Sequence, residues 1–279
     1  MLAALLKKLL FRPWIKNIHL QPFWRRLHTV ATFAMNYHGG SEIAKSGEIW
    51  VVSHVVRDAL ATRSGAVVFD VGANVGDYSL LLARHLRSPA IYAFEPSPRT
   101  FAELARRVEA VPGVVAVPLG LSDRDGKVEF FTYAVDGVED RYLSAIDLRR
   151  PTLVLSVEVS GSEQVEVRTL DGFCEERGIE GIDFLKMDVE GHELSVLRGA
   201  QRMLNSGAIA MIQFEFGPAN IYSRTYLFDF WEMLSAQYDL FRIVPKGIVP
   251  IRSYGEHLEV FLTTNYLAVR KRDANGVSG

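Results

Sequence analysis

Val67-Val68-Phe69-Asp70-Val71-Gly72-Ala73-Asn74-Val75-Gly76-Asp77-Tyr78 is the stretch on which the reading of this 279-residue chain turns. Its first five residues form an apolar run broken only by Asp70, the pattern of a strand buried on both faces. A glycine turn follows and a helix begins near Gly76, so small residues let a ligand approach the backbone at the carboxyl end of a strand. The two glycines stand four apart, and the turn is therefore not the dinucleotide pattern G-x-G-x-x-G. The acidic residue just before it suits a hydrogen bond to an amine-bearing or hydroxylated group better than contact with a pyrophosphate.

Outward from this turn, short apolar runs alternate with helical patterns, which predicts βαβ units and a mostly parallel sheet. Ala66 to Val71, Ala90 to Phe94, Val114 to Val117, Ile182 to Met187 and Ile209 to Phe216 read as strands. Tyr78 to Leu86, Arg99 to Glu109, Leu194 to Leu204 and Leu227 to Ala236 read as helices. Leu240 to Val244 and Leu258 to Thr263 read as closing strands, giving about seven in a doubly wound, mostly parallel α/β sheet with helices on both faces. Between Lys127 and Thr169 the alternation predicts an antiparallel excursion through Lys127 to Tyr133 and Val165 to Arg168, with a polar loop from Val135 to Pro151. The expected division is a helical arm over 1–64, one α/β domain over 65–269 and a polar, frayed tail over 270–279.

Four strand tips carry candidate chemistry. Glu95 closes the second strand, where an acidic side chain is placed to accept from two ribose hydroxyls. Ser122 and Asp123 follow the third strand, within reach of an adenine amino group. The fourth tip reads Lys186-Met187-Asp188-Val189-Glu190-Gly191-His192-Glu193, three carboxylates and an imidazole crowded at the mouth of an apolar strand, with Glu193 also suited to the start of a helix. Glu215 stands at the fifth tip and could close the cleft from the other side.

These motifs resemble the FkbM family of S-adenosylmethionine-dependent methyltransferases. The resemblance runs from about Val67 to Tyr238 through the Asp70 to Tyr78 turn, Phe94-Glu95-Pro96, Leu121-Ser122-Asp123, Thr169-Leu170-Asp171, the Leu185 to Glu193 segment and Val196-Leu197-Arg198-Gly199-Ala200. It implies a class I methyltransferase fold, S-adenosyl-L-methionine as cofactor, and O-methylation of sugar or polyketide hydroxyls. By the same resemblance Asp70, Gly72 and Gly76 line the methionine moiety, with Asn74 at the middle of the usual glycine turn. Glu95 holds the ribose, Ser122 and Asp123 lie near adenine, and Asp188 to Glu193 form the acceptor side. A base that accepts the hydroxyl proton should help by roughly 100-fold or more. Glu190, a partly desolvated carboxylate, is preferred for it and His192 competes. Asp188, Glu190 and Glu215 could instead hold a divalent metal, a reading that is not favoured. Ala134 to Ser162 with Asn220, Tyr222, Arg224 and His257 is expected to shape the acceptor pocket, and Tyr222 and Trp231 could stack on a sugar ring or complete the core. The rivals are methylation of an amine and a non-catalytic S-adenosylmethionine-binding scaffold.

Composition narrows the partners. Cys174 is the one cysteine, which leaves no disulfide framework and fits a reducing, cytoplasmic compartment. The net charge of −2 conceals a split: residues 1–41 carry six basic residues and no acidic one, so the remainder stands at −8. An acidic body argues against nucleic acid as partner. In the arm, Leu2, Leu5, Leu6, Leu9 and Leu10 share one helical face opposite Lys7 and Lys8, Pro13 ends that helix, and Trp14, Phe23 and Trp24 follow. The run is too short and interrupted to span a bilayer. Two expectations for residues 1–40 stand side by side: contact with the inner face of a membrane, or packing on the domain or on a second copy.

Overall fold

The structure, a computed structural model, describes residues 16–37, 39–40, 43–135, 138–146 and 157–271. The leucine-rich segment over 1–12, Trp14 and the tail beyond Lys271 lie outside the described residues. The strands are β1 (Val67–Val71), β2 (Ala90–Phe94), β3 (Val114–Val117), β4 (Gly120–Leu121), β5 (Gly126–Val135), β6 (Val138–Ile146), β7 (Val157–Arg168), β8 (Phe184–Met187), β9 (Met211–Phe216), β10 (Tyr238–Val244), β11 (Gly247–Ile251) and β12 (Thr264–Arg270). Eight of them form one sheet in the order β11-β10-β12-β9-β8-β1-β2-β3. From β3 to β9 the neighbours are parallel; β12 enters antiparallel between β9 and β10. A smaller sheet, β4-β7-β5-β6, stands beside the main one.

The helices are α1 (Gln21–Ala34), α2 (Ile43–Ser46), α3 (Glu48–Trp50) running through a π-helical turn (Val51–Val56) into α4 (Arg57–Ala59), then α5 (Asp77–His85), α6 (Pro98–Val108), α7 (Leu170–Arg177), α8 (Glu193–Arg198), α9 (Gln201–Asn205), α10 (Ala219–Ser223) and α11 (Leu227–Leu234). Alternation along the strands sends Phe69, Leu185 and Phe214 into a core with Phe173 of α7, Val196 and Leu197 of α8, Met203 of α9 and Phe230 of α11. Val68, Ile91 and Phe184 point to the other face, where they meet Tyr78 and Leu82 of α5 and Val51, Val52 and Val56 of the π-helical turn. Each fully buried phenylalanine contributes about 1.5–3 kcal/mol of transfer free energy, so the two faces together fix β1 at the centre.

Four expectations change. The sheet has eight strands rather than about seven, because β11 returns on β10 as an antiparallel hairpin. Leu258 to Thr263 is not a strand: Glu256–Leu258 is a 3-10 turn and pairing starts only where Thr264 reaches the end of β9 at Phe216. Its apolar alternation serves packing, with Leu258 and Phe261 against the core. The polar stretch after Val135 is not all loop, since β6 pairs antiparallel with β5; a strand in a small side sheet needs no apolar alternation. Leu194 to Leu204 is two helices, broken where a β-carbon on Gly199 would strike the carbonyl oxygen of Ser122. The second of them is capped from outside, Asp171 accepting from Arg202 N at 2.7 Å and Met203 N at 3.1 Å.

Candidate active site

A cleft opens where the carboxyl ends of β1, β2 and β8 meet, at the point where the sheet order reverses. Its walls include Gly72, Asn74, Glu95, Leu121, Asp188 and Glu190, with Phe130 of β5 entering from the side sheet. Gly72 has φ of +77°, and a β-carbon there would run into the carbonyl oxygen of Asp188, so only glycine lets the β1 turn pass so close to the end of β8.

The first two strand tips are bonded into one unit. Gly72 N and Ala73 N both donate to the Phe94 carbonyl, at 3.1 and 2.9 Å. Asn74 N donates to Glu95 Oε2 at 3.1 Å and Ser97 N to Glu95 Oε1 at 2.9 Å. Glu95 is only 5% exposed. Burial raises its carboxyl to about 7, against the two amide donors that pull it down.

Opposite them the β8 tip turns sharply. Glu190 takes a left-handed φ of +52° and Gly191 one of +92°; for Glu190 this costs about 1–3 kcal/mol and persists only because the surroundings impose it. Glu193, fully buried, supplies the constraint: its Oε1 accepts from Val189 N at 2.9 Å and Gly191 N at 3.3 Å. Burial raises Glu193 to about 7, those N–H donors opposing. Glu215 reaches the same place from β9, and Asp188, Glu190 and Glu215 each bring an oxygen within 4.8 Å of the others. Burial first, then the charges of Asp188 and Glu190, hold the Glu215 carboxyl well above its ordinary range. Three carboxylates so close can share a proton or take a hard divalent cation.

Beneath the cleft the sheet face under α5 is polar. Asp70, Lys186 and Gln213 are register neighbours on β1, β8 and β9. Lys186 Nζ lies 3.3 Å from Asp70 Oδ1 and 3.5 Å from Asp188 Oδ2, and its ammonium sits 5.1 Å above the Tyr78 ring. Burial would push this ammonium down, but Asp70 and then Asp188 hold it above the usual range. Tyr78 OH donates to Gln213 Oε1 at 2.9 Å, and Gln213 Nε2 to Glu48 Oε1 at 2.8 Å. Glu48 also accepts from Ser46 Oγ at 2.8 Å, and burial raises it to about 7.

The expected residues thus divide. Gly72, Asn74, Glu95, Asp188 and Glu190 line the cleft. Asp70 is fully buried beneath it, bonded to Ser79 Oγ at 2.7 Å and paired with Lys186. Gly76, with φ of +89°, starts α5. Ser122 Oγ lies 2.9 Å from His192 Nε2 and donates to Asp123 Oδ1 at 3.2 Å. Asp123 and His192 line a neighbouring depression with Tyr222 and Arg198. Asn220 accepts from Gly217 N at 2.8 Å, Trp231 packs on the core, Arg224 ends α10 with φ of +55° and His257 sits in the 3-10 turn. The Ala134 to Ser162 stretch falls partly outside the described residues. Phe130, Gln213 and Glu48 were not anticipated. Lys186, a charge inside an apolar strand, was the one available signal of the buried polar row.

A central switch-point cleft in a parallel sheet, closed by one antiparallel strand slipped between β9 and β10, defines the Rossmann-like class I methyltransferase fold. A family model described as the methyltransferase FkbM domain matches residues 70–240. The chain belongs to this FkbM methyltransferase family. It is 29% identical over 150 residues to the 2-O-methyltransferase NoeI of Sinorhizobium fredii, covering 52% of this chain and 62% of that protein. It is 29% identical over 153 residues to the hexuronic acid methyltransferase AglP of Haloferax volcanii, covering 54% and 56%. With the 31-O-demethyl-FK506 methyltransferase FkbM of Streptomyces tacrolimicus it shares 33% identity over 178 residues, covering 55% and 66%. The chain therefore spans about three fifths of the length of these relatives.

Proposed function

We propose that the protein transfers the methyl group of S-adenosyl-L-methionine to a hydroxyl of a sugar, a glycan or a glycosylated or polyketide small molecule. The observation that carries this reading is a single cleft with the fixed Glu95 carboxylate on one wall and Asp188 and Glu190 on the other. The residues fit the cofactor: the glycine at position 72 leaves the turn open to close approach, and Glu95 is held by two backbone N–H groups with lone pairs left for a ribose diol. Names of relatives that specify O-methylation and a hexuronic acid support the acceptor class.

When bound, S-adenosyl-L-methionine supplies an electrophilic methyl group on a sulfonium, which an acceptor oxygen must attack in line. Glu190 takes the hydroxyl proton as the new bond forms. It is favoured over His192 because it lines the cleft, whereas His192 Nε2 is engaged with Ser122 and faces the neighbouring depression. Burial, and then the charges of Asp188 and Glu190, hold the neighbouring Glu215 carboxyl well above its ordinary range. Asp188, braced by Lys186, sets the position of the acceptor.

Incubation with sugar nucleotides, free glycosides and lipid-linked glycans, read by a mass increase of one methyl, tests the acceptor class. Glu190→Gln is expected to lower turnover about 100-fold or more while S-adenosylhomocysteine affinity stays within about twofold. His192→Asn is expected to lose less than about fivefold. Unchanged turnover in Glu190→Gln removes Glu190 from the mechanism, and donor binding with no turnover on any acceptor favours a scaffold. Activity lost to a chelator and restored by magnesium would make the three carboxylates metal ligands.

A further inference from the structure

Among the described residues, no layer of the domain covers the apolar side of helix α1. All its residues are exposed except the half-buried Trp24 and the buried Thr32. Phe23, Leu27 and Val30, at 56%, 47% and 63% exposure, fall on one face, with Ile18 and Phe33 bare beside them. A folded chain covers such a stripe or offers it to something. Among the described residues no helix is long and apolar enough to cross a membrane.

The root of α1 is fixed to the edge of the sheet on which the cleft opens. Asn36 Nδ2 donates to the carbonyls of Ser46 and Ile243, both at 3.3 Å, and the Arg242 guanidinium lies 4.5 Å over the Tyr37 ring. Gly40 N donates to Thr263 O at 3.0 Å, and Gly40 O accepts from Asn265 Nδ2 at 3.4 Å. Asn265 is the register partner of Glu215, so this root and the three cleft carboxylates share one edge.

We infer that α1 lies in the interface of a bilayer rich in anionic lipid, its Phe23, Leu27 and Val30 face among the acyl chains. Charge selects this occupant. The first 41 residues carry +6 with no acidic residue, while the rest stands at −8, so an anionic surface attracts the arm and repels the body. A two-fold contact between copies would set +6 against +6. Phe23 and Trp24, an edge-to-face pair at 5.0 Å, suit the boundary between headgroups and hydrocarbon. The contact brings the cleft edge to the headgroup layer, within reach of a hydroxyl borne by a lipid; that last step alone rests on the methyl-transfer reading.

Sedimentation of the full chain with vesicles tests the contact without reference to catalysis. Partition onto an equal mixture of phosphatidylcholine and phosphatidylglycerol should exceed partition onto phosphatidylcholine alone by about tenfold or more, and should fall as salt is raised. The exposed pair Leu27→Glu with Val30→Glu should abolish it while circular dichroism and S-adenosylhomocysteine binding stay unchanged. Equal partition of variant and parent, or none by the parent, overturns the inference. So does a dimer mass in solution that the variant reduces to monomer, which assigns the face to a second copy.

Discussion

Glu95 is a carboxyl whose usefulness depends on being ionised, yet burial sets it to titrate at about 7. A ribose diol offers two donors, which the carboxylate accepts and the acid form accepts less well. S-adenosylhomocysteine affinity, followed by calorimetry, is therefore expected to rise between about pH 6 and 8. Glu95→Gln should flatten that rise and weaken binding about tenfold or more at the upper end, as loss of a bond to a charged group implies. Glu95, Asp188 and Glu190 were legible in the sequence because an acidic residue after an apolar strand emerges at the strand's tip. Asp70 looked equivalent and is not: it is still inside β1, paired with Lys186 across the register, so the pleat sends it under the turn instead of into the cleft. Ser122 and His192 hold one another, a partnership between residues 70 apart in sequence that no local pattern announces.

At the level of elements, the β8–α8 connection shows how a short segment fixes a side chain. Glu193 looked like a residue chosen for a helix start, but its carboxylate reaches back to Val189 N and Gly191 N and holds the turn that presents Glu190. Glu193→Ala is expected to lower turnover about tenfold or more through displacement of Glu190, with donor affinity within about twofold. Glu193→Gln, which keeps an accepting oxygen, should retain most activity; steady-state kinetics beside calorimetry reads both. Much of the architecture could be read from apolar periodicity: β2 and β3 fall where their runs lie, and α5, α6 and α11 within one or two residues. The misses share a cause. Leu258 to Thr263 alternates as a strand would but has no partner strand among the described residues, and β6 has a partner without the alternation. The motifs Thr169 to Asp171 and Val196 to Ala200 are scaffolding: Thr169 Oγ1 caps α7, Asp171 caps α9, and Gly199 passes against Ser122.

Across the whole molecule, the polar row runs from Asp70 through Lys186 and Gln213 to Glu48, linking a residue outside the matched family region to the centre of the sheet. Glu48, Glu95 and Glu193 all titrate at about 7 in the fold against an ordinary 4.5. Between those values the folded chain keeps protons that the unfolded chain releases, so their contribution is full below 4.5 and is lost as pH rises through about 7. Thermal unfolding should accordingly show stability declining over that window. Glu48→Gln should make the decline shallower and raise the melting temperature by about 2–4 °C at pH 8, since an amide keeps the Gln213 bond and Ser46 can accept from its nitrogen. The bond from Gln213 to Glu48 also joins groups 165 residues apart. On a ribosome adding about 5–20 residues per second, Glu48 emerges roughly 10–30 s before Gln213 does. Through that interval Val51, Val52 and Val56 lack Met211, Ile243 and Leu267, their later neighbours in the core, so the nascent helix is exposed to chaperones well before its own sheet is complete.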